Sequence, residues 1–251
     1  MSRVEILEFK DYKKAARTLY EAFEGDDVKR YATRFLENDP VAKKNLDMAL
    51  FESYVYSHLM IGKCFVIKGD DHETKDTFET VALFTTPDSP ELNYLSLIKS
   101  GFAKVAWMAG SEGRRRIFKV LFAVLHDNFF KIMGPDLNRV WTLVYLASTK
   151  QARGKGNVRA MFDYVFTNYI DKDNCLTYLE SSNYVNTPIY ERFQFAPAAD
   201  IWLGDLEHKD DKARMDVMIR GVQGKPYERL EEIRKEYNYV IPDNSKEYTG
   251  N

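Results

Sequence analysis

Two short runs hold the residue types and spacings best suited to chemistry. The first is Leu146-Ala147-Ser148-Thr149-Lys150-Gln151-Ala152-Arg153-Gly154-Lys155-Gly156-Asn157-Val158-Arg159-Ala160-Met161. An apolar, β-forming stretch enters two glycines and leaves as a helical pattern with Val158, Met161, Phe162 and Val165 on one face. Glycines at such a junction let the backbone approach a ligand. The unsatisfied amides of the helix start, with its dipole, then favour an anion, typically a phosphate. A tight structural turn would use the same glycines. The P-loop pattern fails, because Lys155 lies one residue after Gly154 and is followed by Gly156. The dinucleotide fingerprint fails, because Arg159 stands where a third glycine is needed. The second run is Tyr178-Leu179-Glu180-Ser181-Ser182-Asn183-Tyr184-Val185-Asn186-Thr187-Pro188-Ile189-Tyr190-Glu191-Arg192-Phe193-Gln194-Phe195. It carries an acid and a phenol, Glu180 and Tyr190, within ten residues of each other.

Together the two runs resemble the GNAT superfamily of N-acetyltransferases, with a flavour similar to puromycin N-acetyltransferase and related small-molecule enzymes. The first matches the coenzyme A loop, Q/R-x-x-G-x-G/A, in two registers. Gln151, Gly154 and Gly156 satisfy it literally, while Arg153 and Gly156 satisfy it with Val158 in the last place. The second register is preferred, since it puts Met161, Phe162 and Val165 on the buried helix face. Asn157 and Val158 depart from the family's apolar and small residues. The second run matches the motif F/Y-L-E-T/S-S followed by P-x-Y-E-R-x-G-F, with Gln194 in place of the glycine. The resemblance covers residues 140–195 closely, and is looser over 4–35 and at Met218-Ile219-Arg220.

The resemblance implies an α/β (α+β) GNAT fold, with a mixed central sheet splayed at the acetyl-CoA site and flanked by helices. It implies transfer of an acetyl group from acetyl-CoA (coenzyme A as the carrier) to the amine of a small-molecule acceptor. The implied cofactor-binding set is Leu146, Ala147, Ser148, Arg153, Gly154, Lys155, Gly156, Asn157, Val158, Asn186 and Tyr190. Backbone amides near Leu146, Ala147 and Ser148 would stabilise the oxyanion, and Tyr190 would protonate the departing thiolate. A phenol near pKa 10 facing a thiol near about 8.5 can donate without a large mismatch. An alkyl amine, with a pKa of about 10.4, must lose a proton before it attacks. Glu180 is the candidate base, with His126 as a further candidate and water chains as a route without one; Asp26 and Asp27, in the break between the N-terminal helices where acceptors of the family bind, would recognise a cationic amine or simply cap the loop. A protein N-terminus or lysine is an alternative acceptor. A non-catalytic acyl-CoA-binding module is the alternative from another class.

The elements that must position these residues follow from periodicity. Residues 3–9 alternate as a first strand, and Asp11 is placed to cap a helix with Ala15, Leu19, Ala22 and Phe23 on one stripe. A second helical segment runs through Tyr31 and Phe35, and a third over 44–60 with Leu46, Leu50, Tyr54 and His58. Residues 63–68 and 78–85 read as paired strands about a turn at Gly69-Asp70-Asp71. Residues 95–133 form a helical insertion, broken at Gly110-Ser111-Glu112-Gly113, whose aromatics suit either an acceptor pocket or a core. Its Arg114-Arg115-Arg116 reads as a solvated helix start rather than a membrane or nucleic-acid contact. Strands at 140–148, 175–179 and 215–219 complete the sheet. The domain spans 1–221 and a helical, polar extension spans 222–251, with one charged helix at 227–237.

Composition narrows the class. The 251 residues are 45% hydrophobic and 29% charged with a net charge of −2, ordinary for a soluble domain and without a bulk field for nucleic acid or an anionic membrane. Cys64 and Cys175 make no disulfide framework, and the four histidines show no metal-ligand spacing. No signal core or membrane span is legible, so a cytoplasmic location is expected.

Overall fold

The computed structural model describes residues 3–69, 76–90, 94–205 and 211–240. Seven strands form one sheet in the order β1-β2-β3-β4-β5-β7-β6. They are β1 (Val4–Ile6), β2 (Lys63–Ile67), β3 (Thr80–Thr85), β4 (Val140–Ser148), β5 (Leu176–Ser181), β6 (Ala196–Gly204) and β7 (Lys212–Arg220). All neighbours are antiparallel except β4 and β5, which run parallel through a helical crossover. The mixed α/β sheet expected from the resemblance is therefore present. Strand β6 was not expected from the sequence. Of the turn expected at Gly69-Asp70-Asp71 only Gly69 is among the described residues, and the polar tail past residue 240 lies outside them.

One face of the sheet packs on α8 (Asn157–Val165), whose Met161, Phe162 and Val165 are fully buried against Phe65, Phe84, Trp141, Leu143 and Leu179. The other face carries α1 (Tyr12–Ala22), α2 (Asp27–Thr33) and α3 (Pro40–Ile61). It also carries the insertion, α4 (Tyr94–Lys99), α5 (Phe102–Met108), α6 (Gly110–Arg114), a π-helical stretch Arg115–Leu121 and α7 (Phe122–Met133). The short α9 (Thr187–Glu191) follows β5. The last helix, α10 (Leu230–Glu236), buries Leu230 and Ile233 in the same core as the insertion, and Arg234 donates to the Pro197 carbonyl at 2.8 and 2.9 Å.

Three expectations need correction. Asp11 occupies the cap position of α1 but its side chain makes no capping hydrogen bond. Residues 110–113 are helical. The breaks fall at Gly101 and just before Gly110, where φ is +93° and +60° and glycine avoids the left-handed penalty. Arg116 is not solvated: it is 8% exposed, donates to Asp211 Oδ1 at 2.6 Å and to Glu112, and lies over the Tyr31 ring. A guanidinium that stays charged can be buried only with such partners.

Two irregularities in the sheet shape the site. Leu83 is registered opposite Tyr145 and Phe84 opposite Leu143, so Val144 is an extra residue, a bulge on β4. The bulge resets the alternation: Trp141 and Leu143 face α8, whereas Tyr145 and Ala147 face α1 and α3. Beyond it β4 and β5 part. Their pairing ends at Leu143 with Leu179, after which β4 continues on β3 alone and β5 on β7.

Candidate active site

The gap opened where β4 leaves β5 holds a partly open cavity of about 140 Å³. Its walls are apolar and aromatic, with Phe23, Leu50, Phe51, Tyr54, Leu121 and Tyr145 among them. Its polar groups include Asp26, Lys29, Asp47, Glu180, Ser182, Asn186 and Tyr190. A more open cleft of about 540 Å³ adjoins it, lined by Leu146, Ala147, Ser148, Arg153, Val158, Asn186 and Tyr190 with residues 22–26. The two spaces share Phe23, Asp26, Leu146, Ser182, Asn186 and Tyr190.

The glycine loop forms one rim of the cleft. After a 3₁₀ turn at Lys150–Ala152, Gly154 and Gly156 adopt φ of +80° and +76°, a region that side chains make costly. A Cβ on either would meet nothing within 4 Å, so the surface there is open. Gly156 is the N-cap of α8 and no side chain caps that helix, which leaves its first-turn amides available to a ligand. The side chains of Lys155 and Asn157 turn elsewhere. Both donate to the buried Glu79, at 2.7 and 2.8 Å, and Arg3 donates to Asn157 Oδ1 at 2.8 Å. Gly154, Lys155, Gly156 and Asn157 thus border the cleft without lining it, and only their backbones are positioned for a ligand. Asn157, unusual beside its apolar neighbours, is explained by this anchor. Burial pushes the Glu79 carboxyl up, but the hydrogen bonds from Lys155 and Asn157 outweigh it and hold the group below its ordinary range.

Tyr190 sits on α9 at the junction of the two spaces, its ring packed edge-on against Phe162 and Phe195. Burial pushes its phenol up to about 12, which keeps the proton on the oxygen. Glu180 lies at the end of β5 on the cavity wall. Burial lifts its carboxyl to about 7, against a smaller opposing effect of the hydrogen bond donated by Tyr178 at 2.8 Å. Asp26 caps α2 by accepting from the Lys29 amide at 2.9 Å and accepts a second bond from the Ser182 hydroxyl. Burial raises its pKa.

Of the other candidates, Asp27 is exposed and paired with Arg30, and His126 lies on the outer face of α7 beside Phe130. Neither reaches the cavity. Asp26, Val28, Lys29 and Ala32 line it, but from the insertion only Leu121 and Leu125 do; the insertion's aromatics Phe102, Phe118, Phe122 and Phe129 pack in the core instead. The α3 wall of Asp47, Leu50, Phe51 and Tyr54 was missed, although its spacing of three, four and seven residues marks a single helix face.

No family model matches the chain. It is 31% identical over 214 residues to an uncharacterized N-acetyltransferase of Schizosaccharomyces pombe, covering 85% of this chain and 81% of that protein. Among solved structures it is similar to a Corynebacterium glutamicum protein described as histone acetyltransferase HPA2 and related acetyltransferase (TM-score 0.52, 20% identity, 89% and 97% of the two chains). It is also similar to arylalkylamine N-acetyltransferase 2 of Aedes aegypti (TM-score 0.54, 14% identity, 88% and 98%). A third is the Drosophila melanogaster polyamine N-acetyltransferase (TM-score 0.54, 10% identity, 87% and 98%). Among the described residues, no helix is long and apolar enough to cross a membrane.

Proposed function

The chain belongs to the GNAT superfamily of N-acetyltransferases, and from that membership we propose that it moves an acetyl group from acetyl-CoA to the amine of a small molecule. One observation carries this reading: a mostly apolar cavity and a wider cleft meet at Tyr190, where β4 and β5 separate. The cleft, with uncapped helix amides and two left-handed glycines on its rim, suits a diphosphate. The cavity, about 140 Å³ and walled largely by apolar and aromatic side chains, suits a small acceptor.

When bound, acetyl-CoA supplies an activated acetyl group on a thiol leaving group. The amides from Arg153 to Val158 would bind its diphosphate, with Arg153 adding charge. The free edge of β4 beyond Leu143 offers amides to the acetyl oxygen, where charge develops. Glu180, ionised at and above about pH 7, accepts the proton that the amine must lose. Tyr190, protonated throughout, donates to the leaving sulfur. The Asp26–Ser182 hydrogen bond fixes the edge shared by the two spaces. The names of the Aedes and Drosophila neighbours refer to arylalkylamines and polyamines, which are small amines.

The test is thermal unfolding with coenzyme A, followed by a thiol-release assay with acetyl-CoA across aliphatic, aromatic and polyamine acceptors. A raised melting point and turnover with at least one amine are expected. No shift with coenzyme A would remove the cofactor assignment. Binding without thiol release on any amine would leave a non-catalytic acyl-CoA-binding module.

A further inference from the structure

Asp26 and Glu180 both line the cavity, and among the described residues neither forms an ion pair. Asp26 accepts from the Lys29 amide and the Ser182 hydroxyl. Glu180 accepts from Tyr178 on Oε1 alone; its Oε2 takes no hydrogen bond and keeps accessible surface. Ser182 follows Glu180 by two residues, at most about 7 Å along the backbone, so its bond to Asp26 brings the two carboxylates to one wall. Lys29 is the one cation among the described lining residues, and Asp47 lies 3.6 Å from its Nζ. Lys43, behind the wall, shares that carboxylate. Even with Lys43 counted, carboxylates outnumber ammoniums three to two. Arg153 stands in the cleft, where the diphosphate would take it. Buried carboxylates are ordinarily paired, and burial lifts both of these carboxyls, as it does where counter-charge is lacking. Phe23, Phe51, Tyr54 and Tyr145 pack against one another around the same space, and aromatic faces attract cations.

On the acetyl-transfer reading above, we propose that the acceptor is a cationic amine bearing no carboxylate, its ammonium arriving as the counter-ion of Asp26 and Glu180. Asp26, already committed to two donors, holds the charge, while Glu180, with one oxygen open, takes the proton. An acceptor with an α-carboxylate would bring a further negative charge to this wall. Like charges in a largely apolar space repel strongly, so amino acids are excluded where their decarboxylated counterparts enter. Asp26 is then a specificity-determining residue.

Phenethylamine and phenylalanine differ by one carboxylate, as do tryptamine and tryptophan, and cadaverine and lysine. The amide of each amino acid keeps its bulk without the acid charge. With the intact protein and acetyl-CoA at about pH 8, where Glu180 is ionised, kcat/KM should be at least about 100-fold higher for the amine of a pair than for its amino acid. The amide should approach the amine. Asp26→Asn keeps a side chain able to cap α2 and should narrow the ratio about tenfold. The wild-type comparison needs no variant, so it decides the matter even if Asp26→Asn unfolds. An amino acid used as well as its amine overturns the proposal while leaving acetyl transfer standing. An amide as poor as its amino acid also overturns it, since bulk would then be the discriminator, and so does an unchanged ratio in folded Asp26→Asn. If none of the three amines is acetylated the proposal falls, and coenzyme A binding with the wider panel decides separately whether acetyl transfer survives.

Discussion

Tyr178 and Glu180 lie two residues apart on β5, and the Tyr178 hydroxyl donates to Glu180 Oε1 at 2.8 Å. Tyr178 is fully buried and packed edge-on against Phe129 of α7. The insertion thus reaches the carboxylate through one ring and one hydrogen bond. Burial still dominates, and Glu180 ends near 7.

That value sets a pH dependence. kcat/KM should rise as pH passes through about 7, and Glu180→Gln should lose this limb and lower turnover by roughly 10² to 10⁴. The stability effect has the opposite sign. The folded state holds the proton more tightly than the ordinary value of 4.5 requires, so the stability from Glu180 is present at low pH and lost as pH rises to about 7. The melting advantage of Glu180→Gln over the wild type should grow between pH 4.5 and 8. An identical difference at both ends would show that Glu180 titrates normally.

Tyr190→Phe should lower kcat by about 10² or more with coenzyme A affinity nearly unchanged. The packing against Phe162 and Phe195 survives the change, so the melting point should move little. Because the phenol titrates near 12, the wild-type profile should show no basic limb from it below about pH 10. Full turnover in the variant would assign the proton to another donor.

Gly156→Glu should abolish the coenzyme A melting shift by placing a negative charge on the amides that bind the diphosphate. Gly156→Ala is the control. Its Cβ meets nothing within 4 Å, so it adds only the left-handed backbone penalty of about 1–2 kcal/mol. A shift retained by the glutamate variant would move the anion site elsewhere.

Glu79→Ala removes the anchor beneath the loop. Lys155 and Asn157 lose their acceptor, and the expected loss is about 1–3 kcal/mol at neutral pH, with weaker coenzyme A binding. Glu79 has a lowered pKa in the folded state, so its contribution is present above the ordinary carboxylate range and is lost as pH falls through the folded value. Denaturant unfolding at pH 7 and pH 3 should therefore show the variant and wild type converging in acid.

The strand, the glycine loop and the buried face of α8 were legible because β4 is a long run of β-formers and the apolar helix positions fall three and four apart. The motif that singled out Tyr190 places it where the cavity and the cleft meet. The bulge at Val144 was not legible, since one extra residue inside a continuous apolar run leaves no pattern. Strand β6 begins Ala196-Pro197-Ala198-Ala199-Asp200, residues with weak strand preference, and forms through its pairing with β7. Arg116 read as solvated because its partners, the Tyr31 carbonyl and Asp211, lie 85 and 95 residues away.

The π-wound stretch Arg115–Leu121 gives α6 and α7 a rotational offset. Each residue advances an α-helix by about 100°, so deleting one within 115–121 would swing Leu121 and Leu125 off the cavity wall while α7 kept its length. Chains differing by a single residue in that stretch would then have rooms of different width behind an identical reaction centre. Acceptor size would be tuned by indels there, with the acyl-transfer groups untouched.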